Sequence, residues 1–247
     1  MAEGEDLYGR CALVTGGSGG IGGAISLSLA AAGADVALTY AGHRAPAEGI
    51  ADQIRALGQR ALVLPADLRQ PEVAAATVEA TRAELGSVDV LVANAGVGQK
   101  LSWDQVELDL WDETMAVNLR APWLMTRAVL PDMISRGFGR ILFLSSIAAL
   151  NGGVIGPHYA ASKAGLHGLM HHLAGRVAGN GVTVNTIAPA LIAGTGFVAA
   201  NPDNPGTPVP VGRLGTADDV AAMVLAMLTN SYLTNKVITL DGGIYPD

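Results

Sequence analysis

A tyrosine and a lysine stand four residues apart in "HYAASK", His158 to Lys163, within a chain only 15% charged and 4% aromatic. On a helix, residues i and i+4 lie side by side on one face. An ammonium beside a phenol favours the phenolate and lowers a tyrosine pKa from its usual ~10. That makes a proton donor usable near neutral pH. The same spacing also suits a solvated surface pair, so the two residues alone leave the choice open. On a helical stripe they fall with Leu166, Met170, Leu173 and Val177, the side that turns toward a core.

A second pattern is "TGGSGGIG", Thr15 to Gly22, between the apolar run "CALVT" and the Ala-rich "AISLSLAAAG". Glycines serve where a pyrophosphate must approach the backbone at the positive end of a helix, and the strand-before, helix-after setting is the one such a turn requires. The plainer alternative is a turn that lets helix and strand pack closely. Three histidines, His167, His171 and His172, include an i, i+4 pair. Two histidines one turn apart can hold zinc, but no carboxylate stands where an HExxH motif places it. A solvated or subunit-interface face is the expectation, with no metal.

The elements that must position these residues alternate. Strands are predicted at Cys11–Thr15, Asp35–Tyr40, Arg60–Pro65, Val88–Ala93, Arg140–Ser145, Thr183–Ala188 and Lys236–Leu240. Helices are predicted near 20–32, 46–57, 71–85, 108–135, 158–179 and 217–228. Strands apolar on both faces belong inside a parallel sheet covered by helices. The alternation predicts an α/β fold, a single-domain Rossmann-type doubly wound parallel sheet of seven strands spanning 1–247. Residues 1–9 are expected to be a flexible start. From Pro189 to Gly215 the pattern breaks into a proline-rich stretch with no helical period. A long loop after a strand end is the place for a substrate cover; a surface excursion is the alternative. Residues 190–215 are taken as the substrate loop.

Composition narrows the classes. Of 247 residues half are hydrophobic, the formal net charge is -7 and the pI about 5.1. No basic stripe suits nucleic acid, and no apolar run reaches the ~18 residues of a membrane span. The acidic start lacks a signal-type apolar segment. The single cysteine, Cys11, excludes an internal disulfide, suits a reducing compartment and reads as a small buried hydrophobe. The expected location is the cytoplasm.

The glycine spacing Thr-Gly-x-x-x-Gly-x-Gly resembles that of the short-chain dehydrogenase/reductase family. The resemblance extends from Gly9 to Gly243 through "ADL" (66–68), "ANAG" (93–96), "MAVNL" (115–119), "GRILFLSS" (139–146), "YAASKAGL" (159–166), "VTVNTIAP" (182–189), "PVGRLG" (210–215) and "LDGG" (240–243). It implies interconversion of a carbonyl and its alcohol with a nicotinamide cofactor that carries the hydride. Tyr159 would be the general acid. Lys163 would lower its pKa and hold the nicotinamide ribose, Ser146 would orient the carbonyl, and Asn118 would anchor a water relay. Gly16, Ser18, Gly20, Ile21 and Gly22 would hold the pyrophosphate, Asp67 and Leu68 the adenine, and Asn94, Ala95 and Gly96 the adenine ribose. Pro189 and Ile192 would meet the carboxamide. The family's threonine five residues after that proline is here Gly194, with Thr195 one later, so Thr195 is its stand-in.

At the end of the second strand an acidic residue would favour NAD. This chain has Tyr40, followed by His43 and Arg44, and arginine suits a phosphate. NADP is expected over NAD. The subgroup most resembled is the 3-oxoacyl-(acyl-carrier-protein) reductases, which implies a 3-oxoacyl thioester, free or on a carrier protein, and a homotetramer. Carrier docking needs basic residues before "GRI" and before "VTVN". Arg136 is near the first place, but Asn180-Gly181 occupies the second, so a small-ketone or secondary-metabolite ketoreductase is the alternative. A non-catalytic cofactor-binding module is the rival from another class. The pocket candidates Val97, Ile147–Leu150, Gly153, Val154, Ile155 and Leu191, next to Ser146, are apolar and favour an uncharged carbonyl compound.

Overall fold

The computed structural model describes residues 7–195 and 209–246. Most of the expected flexible start, and residues 196–208 of the expected substrate loop, lie outside the described residues. Seven parallel strands form one sheet in the order β3-β2-β1-β4-β5-β6-β7. They are β1 (Cys11–Val14), β2 (Asp35–Tyr40), β3 (Ala61–Pro65), β4 (Val90–Ala93), β5 (Gly139–Leu144), β6 (Val182–Pro189) and β7 (Val237–Leu240). Every expected strand is present, with ends moved by a residue or two.

Side chains alternate across each strand, and the sheet sorts them into two cores. Val14, Leu38, Val92 and Leu142 face one way, onto α1 (Gly20–Ala31), α2 (Arg44–Ala56) and α8 (Ala217–Leu228). Leu13, Ala37, Leu91 and Phe143 face the other way, onto α3 (Pro71–Leu85), α5 (Ala121–Arg136) and α7 (Pro157–Val177). Both faces are therefore covered, which is why the central strands read as unbroken apolar runs. The strand order reverses between β1 and β4. A crevice opens there beyond the carboxyl ends of the strands, the place where such sheets bind ligands.

One expected helix is not continuous. Residues 108–135 divide into α4 (Leu108–Met115), a π-helical turn (Ala116–Arg120) and α5. Pro122 has no N–H to give the carbonyl of Asn118 four residues earlier, and the Ala121 N–H reaches back to Ala116 O instead. Asn118 thus sits in an interrupted stretch, the kind of local π geometry that collects at functional sites. A four-residue helix, α6 (Ala148–Asn151), follows the end of β5; it is too short to carry a periodic signal.

Candidate active site

A cavity of about 780 Å³ opens at that crevice, walled by the turn after β1 and by the chain after β4, β5 and β6. Its first wall is glycine-rich for steric reasons. A Cβ on Gly22 would stand 2.2 Å from Gly16 O and 2.5 Å from Asn94 Nδ2. Gly20, in contrast, has φ +53 and open space where a Cβ would stand. The α1 N-terminus at Gly19 has no side-chain cap, so its free N–H groups and positive dipole end face the cavity. Asn94 fixes the turn from across the crevice: Nδ2 donates to Thr15 O at 2.9 Å and to Gly16 O at 3.1 Å. Thr15 Oγ1 accepts the N–H groups of Asn94 and Ala95. Gly16, Ser18, Gly20, Ile21, Gly22, Asn94, Ala95 and Gly96 all line the cavity. This donor set and the glycine clearance suit a pyrophosphate-bearing dinucleotide.

The opposite wall carries the reactive cluster. Tyr159 and Lys163 are both buried on the inner stripe of α7 with Leu166, Met170 and Val177. The surface-pair reading is thereby excluded. Ser146, at the end of β5, is hydrogen-bonded to Tyr159, and its Oγ accepts the Ala148 N–H at 3.2 Å. Lys163 Nζ donates to Leu144 O at 2.7 Å and lies 5.6 Å from the Tyr159 ring centre. The expectation that Lys163 lowers the phenol pKa is not met here. Burial pushes Tyr159 upward, and the bond with Ser146 offsets only part of that. Burial also pulls Lys163 down to about 8. A tyrosine that keeps its proton at neutral pH is a competent acid.

Asn118 does not line the cavity. It is fully buried, accepts the Val97 N–H at 2.8 Å and donates to Val97 O at 2.8 Å and to Ser162 Oγ at 3.0 Å. Its side chain pins the chain after β4 against α7. That holds Gly96 where a Cβ would stand 3.1 Å from Lys163 Nζ.

The residues expected to read the cofactor's ribose are placed differently. Tyr40, His43 and Arg44 lie outside the cavity lining, which at that end is Thr39, Ala41 and Gly42. Arg44 heads α2 and pairs with Glu48 one turn on, at 2.8 Å. Asp67 and Leu68 do line the cavity. Asp67 grips Arg69 through two 2.8 Å bonds, which hold its carboxyl below the usual carboxylate range. Arg69 and its second partner Glu113, 3.6 Å away, also line the cavity. Neither was singled out in the sequence, although Arg69 directly follows "ADL".

Of the residues expected at the substrate, Val97, Ile147, Gly153, Val154, Ile155 and Leu191 line the cavity, whereas Leu150 is 37% exposed and does not. Asn151 and Ile244 line it without any sequence signal. Pro189, Ile192 and Thr195 also line the cavity. Gly194 has φ +74, a conformation that a threonine there would adopt only under strain. The Thr195 hydroxyl turns back to Ile192 O at 2.9 Å.

Two expectations need correction. His167 is not on a solvated face: it is half-buried, with Nε2 2.9 Å from Ser145 Oγ. Only His171 and His172 are exposed, and no metal-type cluster occurs among the described residues. Arg136 is not at the cavity mouth. It donates to Val88 O and Asp89 Oδ1 at 3.0 and 3.1 Å, at the opposite end of β4. Gly181 has φ +75, and a Cβ there would stand 2.0 Å from Gly137 O. The backbone therefore excludes a basic side chain at that position. No helix among the described residues is long and apolar enough to cross a membrane.

Comparison with known proteins agrees with this geometry. The short chain dehydrogenase family model matches residues 10–205. An L-rhamnose 1-dehydrogenase (NAD(P)(+)) from Sphingomonas sp. is 35% identical over 251 residues, covering 97% of each chain. A 3-oxoacyl-(acyl-carrier-protein) reductase from Salmonella typhimurium is 35% identical over 242 residues, covering 96% of this chain and 98% of that one. Among solved structures, a blue fluorescent protein from a metagenomic library, in complex with NADPH, superposes with a TM-score of 0.91 at 34% identity, covering 98% of this chain and all of that one.

Proposed function

The chain belongs to the short-chain dehydrogenase family and is an oxidoreductase of the alcohol–carbonyl couple; from that premise we propose that it reduces an uncharged ketone to a secondary alcohol with NADPH. The observation that carries the reading is the buried group of Ser146, Tyr159 and Lys163 on one cavity wall, facing a glycine turn that suits a pyrophosphate. Bound there, NADPH would supply the hydride. Ser146 orients the carbonyl oxygen, and Tyr159 gives it a proton as the alkoxide develops. Lys163 would hold the nicotinamide ribose. Asn118 keeps Lys163 and the Gly96 backbone in register.

Support for NADP comes from the NADPH complex of the structural relative and from the dual cofactor use in the name of the rhamnose enzyme. Arg44, two residues past the cavity-lining Gly42, would reach a 2′-phosphate once released from Glu48. The substrate class follows from charge. Among the described residues, the charged lining side chains are Asp67, Arg69, Glu113 and Lys163. The first three pair with one another, and the fourth belongs to the reactive cluster. Around Val97, Ile147, Val154, Leu191 and Ile244, no cation among the described residues stands ready for a carboxylate or phosphate. The similarity to acyl-carrier-protein reductases supports a 3-oxoacyl thioester as one such uncharged ketone. Docking of the carrier itself would have to use something other than Arg136 and position 181. Exposed Gly168 and Gly175 on α7, with open space where a Cβ would stand, support close helix packing in a homotetramer.

The test is oxidation of NADPH and NADH, in parallel, against a ketone panel that includes an acetoacetyl thioester and a keto acid. NADPH-linked turnover of uncharged ketones, well above that of the keto acid, is expected. Absence of oxidation of either cofactor by any of them would overturn the reading in favour of a non-catalytic binding module.

A further inference from the structure

Beside the reactive cluster lie a serine and a histidine that the proposed chemistry does not use. Ser145 Oγ is 3.0 Å from Lys163 O and 2.9 Å from His167 Nε2. Its neighbours on either side also bind α7: Leu144 O accepts the Lys163 ammonium at 2.7 Å, and the Ser146 side chain is bonded to Tyr159. Three consecutive residues at the end of β5 thus grip positions 159, 163 and 167 of α7, each one helical turn from the next. The packed stripe of Leu166, Met170 and Val177 holds the helix to the sheet, and one such bond would add a single fixed point. Three in a row fix both rotation and register.

The middle grip is the one with a choice of partners. A hydroxyl has one proton and two lone pairs. When Ser145 donates to Lys163 O, it can only accept from His167, which then carries its proton on Nε2. Without that donor, Ser145 is held to α7 by the single bond to Lys163 O, and its rotation is no longer fixed from two sides. Phe143 and Leu144 behind it are buried in the close-packed core, so the loss would be felt at Ser146 rather than absorbed in the strand.

We propose that His167, acting through Ser145, is a positioning residue that sets the register of α7 against the end of β5 and so the relative placement of Ser146, Tyr159 and Lys163. The inference rests on the ketone-reductase reading, because it assigns His167 a part in the same site. His167→Leu removes the donor and leaves an apolar side chain; His167→Gln restores an N–H. Ser145→Ala removes the other half.

The experiment measures kcat and KM for a turned-over ketone, the Kd for NADPH, and the ionisation of Tyr159 by phenolate absorbance, with Tyr159→Phe identifying its signal. In His167→Leu and in Ser145→Ala, kcat should fall on the order of tenfold, as expected for a small misplacement of reacting groups. KM and the NADPH Kd should stay near wild type, the double variant should be no slower than either single one, and His167→Gln should recover most of the rate. The Tyr159 titration should move in His167→Leu and return in His167→Gln. Wild-type kcat with an unmoved titration in His167→Leu would overturn the proposal, as would His167→Gln as slow as His167→Leu, or additive losses. If the wild-type chain reduced no ketone at all, the reductase reading would fail by itself. The Tyr159 titration would still report whether His167 positions the cluster.

Discussion

Lys163 should be a residue whose removal stabilises the protein while ending its chemistry. Its side chain is buried, and desolvation holds its ammonium at about 8 against an ordinary value of 10.5. At roughly 1.4 kcal/mol per pH unit, that difference costs the folded state about 3 kcal/mol at neutral pH. The sign follows from proton counting. Below about pH 8 the lysine is protonated in both folded and unfolded chains, so the penalty is present in full. Between about 8 and 10.5 the folded chain has shed the proton that the unfolded chain keeps, and stability rises with pH. Lys163→Met keeps the length, removes the charge and orphans Leu144 O, which accepts from Nζ at 2.7 Å. Losing that bond gives back roughly 1–2 kcal/mol. The net expectation is a gain of about 1–2 kcal/mol at neutral pH, or roughly 2–8 °C in Tm for a chain of this size. Thermal melts of nucleotide-free wild type and Lys163→Met, from about pH 7 to about pH 10, test it, because other titrating groups cancel between the two. The advantage should shrink as pH rises and vanish or reverse near the top of that range, with ketone reduction lost throughout. A lower Tm for Lys163→Met at neutral pH, or a difference that ignores pH, would refute the reasoning.

The remaining predictions address the other walls of the site. Tyr159→Phe should lower turnover by roughly 10²–10⁴-fold and leave the NADPH Kd near wild type; substantial residual activity would mean that the proton comes from elsewhere. Gly22→Ala places a methyl 2.2 Å from Gly16 O, so the turn must open and Asn94 must lose its two bonds; calorimetry should show cofactor affinity reduced more than about tenfold, at a cost of roughly 1–3 kcal/mol. Glu48→Gln frees Arg44 from its exposed ion pair, and NADPH binding should tighten by a few-fold with NADH unchanged, while Arg44→Ala should weaken NADPH alone. Light scattering at micromolar concentration should give the mass of four chains, and a monomer would remove the tetramer from consideration.

The parts legible in the sequence were those fixed by backbone geometry. The strand runs, the glycine turn and the Tyr159–Lys163 stripe each carry a periodicity or a residue type that has few alternatives. Gly22 is the clearest case, since nothing larger fits beside Gly16 O. Side-chain partnerships chosen only in three dimensions were not legible. His167 looks like one member of a polar trio until β5 brings Ser145 beside it. Arg44 looks like a free phosphate ligand until α2 begins at that residue and places Glu48 one turn away. Ile244 and Asn151 reach the cavity from the chain end and from a four-residue helix, neither of which has a pattern to read. The break at Asn118 lay between: Pro122 is visible in the sequence, but its consequence for the helix depends on Asn118 finding Val97.

Arg136 shows how the sheet divides its charges. At the amino ends of the strands, Asp89 accepts the Cys11 N–H at 3.1 Å and the Arg136 guanidinium at 3.1 Å. Arg140, buried beside it, donates to Leu228 O and Gly181 O at 3.1 Å, and Phe138 lies between Arg10 and Arg140 at 3.6 and 4.2 Å. Cations there are consumed in closing the sheet, so a basic residue before β5 is committed to the fold. At the carboxyl ends, glycines and backbone donors form one wall, and the grip of β5 on α7 forms the other. The cavity wall proposed for the substrate, with Ile147, Val154, Ile155, Leu191 and Ile244, contributes little to either. Val154 is 70% exposed. Changes there can therefore alter which ketone fits while leaving the cofactor turn and the reactive cluster intact. That separation gives a physical route by which relatives about a third identical along their whole length come to bear names as different as a sugar dehydrogenase and an acyl reductase.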